Sequence, residues 1–194
     1  MKIIGVTGGV GAGKSAVLTY LQERYGAHVV LADQVANLLE EPGQSCYEPI
    51  VELLGKSVLQ EDGCINRSVM GQMIFSDSAL LKKVNNIIHP AVKQYILKQI
   101  EKHRCNKTEI FVIEAALLLE DNYDAICDEV WYIYTSEAVR RERLKESRGY
   151  SDDYITDIIR KQLSEEVFRT RCDVIIDNSG TVEDTQKQID IRMS

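Results

Sequence analysis

The first fifteen residues contain the feature that most constrains this chain. The run from Gly8 to Ser15, here the phosphate loop, reads Gly-Gly-Val-Gly-Ala-Gly-Lys-Ser and matches the pattern G-x-x-x-x-G-K-[ST]. The apolar run Lys2–Thr7 before it predicts a buried strand, and Ala16 to Tyr25 after it predicts a helix. Strand, loop and helix together predict a nucleoside triphosphate site, with the phosphates at the helix N-terminus.

Each residue type in the phosphate loop suits a particular contact. The Lys14 ammonium is expected to reach the β- and γ-phosphates, and the Ser15 hydroxyl to complete the shell of a Mg²⁺ ion. A glycine-rich turn without a ligand is the alternative, and the full match between a strand and a helix argues against it. The residues expected to surround the phosphates are Gly9, Val10, Gly11, Ala12, Gly13, Lys14, Ser15 and Ala16.

Length, charge and cysteine content limit the classes of protein to which this chain can belong. A chain of 194 residues is long enough for one α/β domain with a small helical insertion. Its net charge of −7 argues against sequence-independent binding of nucleic acid. We expect no membrane span, because the apolar runs are strand-sized, and no signal peptide, because a strand follows Met1 directly. The five cysteines form no C-x-x-C pair, which favours free thiols and a cytoplasmic protein.

Short β-rich segments alternate with helical patterns along the chain, which predicts a largely parallel sheet covered by helices on both faces. The strands predicted after the first are His28–Ala32, Ile110–Ile113, Glu129–Thr135 and Asp173–Asp177. The later helical segments are a turn at Ala115–Leu119, a helix capped by Ser136, a helix from Asp152 to Arg171 and a closing helix from Val182 to Met193.

The segment from 34 to about 107 is mostly helical in pattern and too long for a simple crossover. We expect it to form a helical subdomain over the carboxyl edge of the sheet, where α/β sheets bind ligands. Asn66 is predicted to cap one helix, and Ser76 or Asp77 to cap the next. His89-Pro90 is predicted to open a further long helix, with the proline in its first turn.

A cluster of arginines follows the fourth predicted strand. Arg140, Arg143 and Arg148 can reach one side of a helix and the turn after it. Guanidinium groups stabilise the charge that phosphoryl transfer spreads over the transferred oxygens, and a lid excludes water as a competing acceptor. The alternative is a solvated helix with ion pairs to Glu142 and Glu146. The presence of the phosphate loop favours the kinase interpretation.

Asp33 lies at the carboxyl end of the second predicted strand, which we expect beside the first. From there its carboxylate would overlook the γ-phosphate and accept the proton of an attacking hydroxyl. The alternative is an N-cap for a helix that begins at Gln34. One residue can serve both roles, so both interpretations stay open.

Two segments resemble guanine-nucleotide motifs in the wrong context. Asn106–Glu109 resembles N-K-x-D, but it precedes a strand and ends in Glu. Asp177–Gly180 fits D-x-x-G, but it follows the first segment, which reverses the order that a GTPase requires. A small-molecule kinase is therefore favoured over a GTPase.

With these residues in place, the chain resembles the dephospho-coenzyme A kinase family over nearly its full length. Each piece after the phosphate loop is weak alone, whereas their order and spacing together are specific. The pieces are Val6–Ser15, Ala32-Asp33, Glu41-Pro42-Gly43, Ile74-Phe75, His89-Pro90, Leu117–Glu120, Arg143–Arg148, Gln162 and Asp173–Gly180.

The resemblance implies a P-loop kinase-type three-layer sandwich with a five-stranded parallel sheet, a helical substrate-binding insertion and a lid. Its parts would be a nucleotide-binding core at about 1–33 and 108–194, the helical subdomain at about 34–107 and the lid at about 140–152. The implied reaction transfers the γ-phosphoryl group of ATP to the ribose 3′-hydroxyl of dephospho-CoA, with Mg²⁺.

The resemblance also implies roles for single residues. Asp33 would be the general base and touch the substrate, and Lys14 and Arg143 would complete the catalytic group. Arg148 would contact the nucleotide from the lid, and the turn around Asn178 lies where related kinases hold adenine. These assignments rest on the match of motif positions.

Substrate binding is implied for the helices around His89, with helix entry beside Pro90 an equal alternative for that residue. The chain departs from the family pattern in its lid, which has one residue more than in many members, and at three single positions. Leu31 stands where an aspartate is common, Ala116 where a proline is usual, and Phe168 where a basic residue is common. Asp33 therefore stands without a second carboxylate at the end of its strand.

Two alternatives to this interpretation remain open. One is a nucleoside or nucleotide kinase of the same architecture, and the other is a nucleotide-dependent binding module without phosphotransferase chemistry. The expected partner is dephospho-CoA, a small molecule. We expect a monomer, with an oligomer as the alternative.

Overall fold

The computed structural model describes residues 1–194 and has a five-stranded parallel sheet at its centre, which confirms the predicted α/β fold. The strands are β1 (Lys2–Thr7), β2 (His28–Leu31), β3 (Ile110–Glu114), β4 (Glu129–Tyr134) and β5 (Val174–Asp177). Their order across the sheet is β2-β3-β1-β4-β5. The strands β1 and β3 are almost fully buried, as expected of strands that are covered on both faces.

Helices account for most of the chain outside the strands. The whole chain divides into two compact units. The first unit comprises Met1–Val29 and Lys107–Ser194, and the second comprises Val30–Asn106. None of the helices combines the length and apolar composition that a bilayer crossing requires. The helices are α1 (Lys14–Tyr25), α2 (Ala32–Leu39), α3 (Tyr47–Leu54), α4 (Arg67–Ser76), α5 (Ser78–Cys105), α6 (Glu137–Arg148), α7 (Asp152–Arg160), α8 (Glu165–Arg171) and α9 (Val182–Met193).

The strand register brings the carboxyl ends of four strands of the first unit to one edge. Val6 of β1 pairs with Glu114 of β3 and with Trp131 of β4. Tyr134 of β4 pairs with Asp177 of β5. The segments that follow β1, β3, β4 and β5 therefore leave the sheet at the same edge, and the phosphate loop is the first of these segments.

The core of the first unit lies on its strands, where Phe111 and Trp131 are fully buried. The helices α1 and α9 are joined by a carboxylate that serves two phenols. The hydroxyls of Tyr20 and Tyr25 donate to Oδ1 of Asp190 at 2.8 and 2.6 Å. These bonds lower the pKa of Asp190, and they raise the pKa of Tyr25 to about 12.

The second unit contains α2 to α5, and two of its helices begin with the predicted caps. Asn66 Oδ1 accepts hydrogen bonds from the amides two and three residues later, both at 3.1 Å. Asp77 Oδ1 does the same for α5, at 2.9 and 3.0 Å. Each cap satisfies backbone donors that the first helical turn leaves without partners. The first residue of α4 also contacts the end of α2, since Arg67 Nε lies 3.0 Å from the buried carboxylate of Glu40.

The prediction that Pro90 opens a helix is wrong, because Pro90 lies inside the 28-residue helix α5. A proline in a helix interior removes one hydrogen bond and costs ~3 kcal/mol. Burial outweighs that cost, since Val84 before the proline and Val92, Ile96 and Ile100 after it are all buried. Pro90 itself is exposed, so the carbonyl that loses its partner can be hydrated.

The single helix predicted from Asp152 to Arg171 is also wrong, because the chain forms α7 and α8 with a break between them. Ile155 of α7 and Phe168 of α8 are both buried. At ~100° per residue, one continuous helix would point these two side chains to nearly opposite sides. Ser164 caps the second helix by accepting from the Val167 amide at 3.4 Å.

The expected position of the second strand is corrected as well. β3 lies between β1 and β2, so the strand before Asp33 is not beside β1. The strand β2 is only partly buried, which suits an edge position better than a central one. The helix α2 begins at Ala32 and not at Gln34, and Asp33 makes no capping bond in its first turn. The N-cap interpretation of Asp33 is therefore wrong.

Two smaller predictions differ in detail. The helical turn predicted at Ala115–Leu119 lies instead at Leu117–Asp121, where the Asp121 amide donates to the Leu117 carbonyl at 2.9 Å. Ser136 occupies the N-cap position of α6, but its side chain makes no capping bond. Its amide instead donates to Ser179 Oγ at 2.9 Å, which joins the segments after β4 and β5.

Candidate active site at the phosphate loop

The carbonyl groups of the phosphate loop are held by the lysine of the loop and by side chains from elsewhere in the first unit. Lys14 Nζ lies 2.9 Å from the Gly8 carbonyl oxygen, and Arg140 Nε lies 2.9 Å from that of Val10. The Ala12 carbonyl has two donors beside it, Asn178 Nδ2 at 2.8 Å and Thr135 Oγ1 at 2.9 Å. With these carbonyls engaged, the amides of the loop are left to bind an anion.

The amides of Gly11, Gly13, Lys14 and Ser15 donate to no acceptor in the protein. Three of them belong to the start of α1, where the first turn lacks intrahelical partners and the helix dipole is positive. Bare amides at a helix start, with a lysine among them, form a site for phosphate oxygens. The backbone thus has the arrangement that the sequence pattern predicts.

Two glycines of the loop are required by close approach. Gly13 has φ of +80°, and a Cβ placed there would lie 2.3 Å from Asn178 Nδ2. A Cβ on Gly9 would lie 2.5 Å from the guanidinium of Arg140. Any larger residue would displace the side chains that hold the loop.

Lys14 is largely buried, with a side chain 17% exposed, and its Nζ lies 3.4 Å from Glu114 Oε1. Glu114 ends β3, directly beside β1 in the register. The carboxylate keeps the ammonium group next to the loop, where phosphate oxygens would compete for the same charge. Glu114 thus supplies a carboxylate that contacts the loop lysine.

Arg143 has one guanidinium nitrogen engaged and one without a partner. Its Nη2 donates to the Asn178 carbonyl at 2.9 Å. Its Nη1 is buried and makes no hydrogen bond, and it lies 3.2 Å from the position that a Gly13 Cβ would occupy. An unpaired buried donor is costly, so this nitrogen marks a place where a ligand acceptor would be stabilised.

Asn178 is buried, and both its side-chain nitrogen and its side-chain oxygen make a hydrogen bond. Besides the bond to Ala12, its Oδ1 accepts from Thr185 Oγ1 at 2.9 Å. This asparagine supports the loop from behind, and its predicted contact with adenine stays a prediction.

The predicted lid residue Arg148 lies at the end of α6 and is exposed. Its guanidinium carbon is 5.8 Å from the ring centroid of Tyr150. Between Arg148 and the first turn of α6, Lys145 pairs with Asp152 at 2.8 Å and connects α6 to α7. The predicted role of Arg148 in nucleotide binding stays a prediction.

The two residues predicted to touch the acceptor substrate belong to the second unit. Asp33 is exposed in the first turn of α2 and takes part in no hydrogen bond or ion pair. His89 lies in the middle of α5 and is half-buried. Their predicted roles in substrate binding stay predictions.

Comparison with known proteins agrees with the geometry of the loop. A family model described as dephospho-CoA kinase matches residues 2–184. The chain belongs to the dephospho-CoA kinase family. A dephospho-CoA kinase of Shouchella clausii is 38% identical over 186 residues, which is 96% of this chain and 94% of the relative.

Two solved structures have the same fold as this chain. A Thermus thermophilus protein has a TM-score of 0.84 at 24% identity, covering 99% of this chain and 96% of that one. The dephospho-CoA kinase of Campylobacter jejuni has a TM-score of 0.74 at 23% identity, covering 100% and 96%.

Sequence reasoning missed some residues that shape the loop of this dephospho-CoA kinase family member. Thr135 follows β4 and carries no local signal of its contact with Ala12, 123 residues away. Gln162 belongs to the family resemblance, which implies no role for it, and its Oε1 accepts from the Val10 amide at 3.2 Å. Both residues reach the loop only through the tertiary fold.

Proposed function

We propose that this chain transfers the γ-phosphoryl group of ATP to the 3′-hydroxyl of dephospho-CoA, giving CoA and ADP. The observation that carries the proposal is an intact phosphate loop, with four bare amides, in a chain of the dephospho-CoA kinase family. Bare amides alone are compatible with any P-loop phosphotransferase. The family membership selects dephospho-CoA as the acceptor.

The donor half of the reaction belongs to the first unit. The amides of Gly11 to Ser15 would bind the phosphates of ATP, and Lys14 would leave part of its contact with Glu114 to follow the transferred group. The unpaired Nη1 of Arg143 would donate to the nucleotide. These cations lie beside the amides, where they would stabilise the charge that develops in the transition state.

Mg²⁺ is part of the proposal, and Ser15 would hold it. The residue is exposed at the start of α1, next to the bare amides, and a hydroxyl oxygen is a hard ligand of the kind that Mg²⁺ prefers. Most of the other ligands would be phosphate oxygens and water, which agrees with the lack of any cluster of three metal-binding side chains in the protein. When bound, the ion neutralises charge on the phosphates.

The acceptor half of the reaction is assigned to the second unit. Asp33 would take the proton from the attacking 3′-hydroxyl. Support comes from its carboxylate, which is exposed in the first turn of α2 and makes no capping bond. The carboxylate is therefore available to a substrate. His89 would contact dephospho-CoA from α5. Arg148 would contact ATP from the lid segment at about 140–152, which would also limit the access of water.

The setting of the enzyme completes the proposal. All five cysteines are free, which suits a reducing cytoplasm. We propose that it works there as a monomer on two small-molecule substrates.

A coupled assay of ADP release tests the proposal against its two alternatives. The purified protein receives ATP with Mg²⁺ and either dephospho-CoA, a nucleoside or a nucleoside monophosphate. We expect turnover with dephospho-CoA well above that with the other acceptors. Faster turnover of a nucleoside or a nucleotide would replace the proposal with the related kinase, and ATP binding without any acceptor-dependent turnover would indicate a binding module.

A further inference from the structure

Val10, in the middle of the phosphate loop, has both of its backbone polar groups held by the same pair of side chains. Its carbonyl accepts from Arg140 Nε at 2.9 Å, and its amide donates to Gln162 Oε1 at 3.2 Å. The ring is closed by Arg140 Nη2, which donates to the same Gln162 oxygen at 2.8 Å. One peptide segment, one guanidinium and one amide oxygen thus form a closed set of three hydrogen bonds.

The pair comes from two separate elements. Arg140 lies in the first turn of α6, and Gln162 lies in the break between α7 and α8. The lid segment at about 140–152 begins at the first of them, and the second follows it in the chain. The two ends of the polypeptide that contains the proposed lid are therefore both bonded to one residue of the loop.

The guanidinium of Arg140 has no carboxylate partner within ion-pair distance. It is about half-buried, and this burial lowers its pKa from the usual value. Burying an unpaired charge is unfavourable. A neutral side-chain donor would be enough to bond a backbone carbonyl, so a purely structural role does not explain the charge. The charge lies against Gly9, where a Cβ would be 2.5 Å from it, so it adds positive potential at the loop backbone.

We propose that Arg140 and Gln162 are positioning residues that hold the phosphate loop in its ATP-binding shape. The inference rests on the proposed function, because it takes ATP as the ligand of the loop. Gln162 acts through its side-chain oxygen alone, as an acceptor for the Val10 amide and for Arg140. Arg140 acts through its fork of donors, and its charge favours the bound phosphates.

Substitutions of Gln162 separate this role from direct contact with phosphate. Gln162→Leu removes the acceptor, and we expect the KM for ATP to rise about tenfold while the KM for dephospho-CoA changes little. Gln162→Glu keeps an oxygen for both donors, and we expect it to restore the KM for ATP to within about threefold of the wild-type value. A glutamine that donated its NH₂ to phosphate would give the opposite result, since a glutamate there repels the ligand.

Amide hydrogen exchange at Val10 provides a readout that does not depend on turnover. We expect the exchange to be slow in the wild-type protein, faster in Gln162→Leu and slow again in Gln162→Glu. If the wild-type protein fails to phosphorylate dephospho-CoA while this pattern holds and ATP binding follows it, the proposed function is wrong and the positioning role stands. Arg140→Lys loses the fork geometry and should resemble Gln162→Leu, which keeps the test valid if the leucine variant does not fold.

Gln188→Leu is the matched control. Gln188 also bonds both backbone groups of one residue, Asp177, at 2.9 and 2.8 Å, but it does not touch the loop. We expect this control to leave the KM for ATP unchanged. Equal effects of Gln162→Leu and Gln162→Glu on the KM, or no effect of either, would overturn the proposal.

Discussion

The phosphate loop and the helical second unit are stabilised in contrasting ways. The loop carbonyls of Val10 and Ala12 are held by side chains 123, 130 and 166 residues away in the sequence. The helices of the second unit begin with caps that act over two or three residues, at Asn66 and Asp77. The contrast indicates that polar substitutions near the loop should change nucleotide binding, whereas polar substitutions at the caps should change stability.

The largest effect is expected at Asp33, the proposed general base. Such an effect would show that the second unit contributes chemistry as well as structure. Asp33→Asn should lower kcat at least ~10²-fold, the low end of general acid–base contributions, while the affinity for ATP is retained. Steady-state kinetics and nucleotide titration measure the two quantities. Since Asp33 forms no hydrogen bond or ion pair, the melting temperature should change little, by no more than the loss of its charge near the N-terminus of α2 costs. An unchanged kcat would remove Asp33 from the mechanism.

The next effect concerns Gly13 of the loop. In Gly13→Ala the new Cβ would lie 2.3 Å from Asn178 Nδ2, so the asparagine must leave the Ala12 carbonyl. We expect the affinity for ATP to fall about tenfold or more, because the loop loses a hydrogen bond and its shape.

Gly26→Ala is the matched control for this change. Gly26 also has a left-handed backbone, with φ of +62°, but its Cβ would meet nothing within 4 Å. This control should lose ~1 kcal/mol of stability from backbone strain and keep its affinity for ATP. Equal loss of affinity in both variants would show that strain, and not the contact with Asn178, determines the binding.

A smaller effect is expected at the cap of α5. Asp77→Ala leaves two amides of the first turn without their acceptor. It should lower the free energy of unfolding by ~1 kcal/mol and leave the KM for ATP unchanged. Chemical denaturation with parallel kinetics measures both. A clear rise in the KM for ATP would break the contrast between the two regions.

The smallest effect is expected at Asp190, which joins α1 to α9. The hydroxyl of Tyr25, followed by that of Tyr20, lowers the pKa of this carboxyl. Its contribution to stability is therefore present above the pKa of the unfolded group, about 3.9, and is lost as the pH falls through the folded value. The stability difference between the wild type and Asp190→Asn should shrink below about pH 4 in denaturation curves. A difference that does not depend on pH would contradict this assignment.

The same contrast explains what the sequence could predict. The strand and the helix around the phosphate loop and the caps at Asn66 and Asp77 follow from neighbouring residues, and the structure confirms these elements. Thr135 and Gln162 contact the loop only because distant elements meet at the sheet edge, and no local pattern marks them.

The wrong predictions share a physical cause, which is tertiary burial. A proline is common in the first turn of a helix, but α5 continues through Pro90 because apolar side chains from Val84 to Ile100 are buried on both sides of it. The helical pattern from Asp152 to Arg171 is interrupted because Ile155 and Phe168 must both reach the core. Local propensity gives way where a larger apolar area is buried.

Identification of the phosphorylated product tests the central claim most directly. The protein is incubated with ATP, Mg²⁺ and dephospho-CoA, and the product is examined by phosphorus NMR with coupling to the ribose protons. The account predicts a new phosphomonoester coupled to H3′ of the ribose, formed in a one-to-one ratio with ADP. ADP with inorganic phosphate alone, or a phosphate attached at any other position, would contradict it.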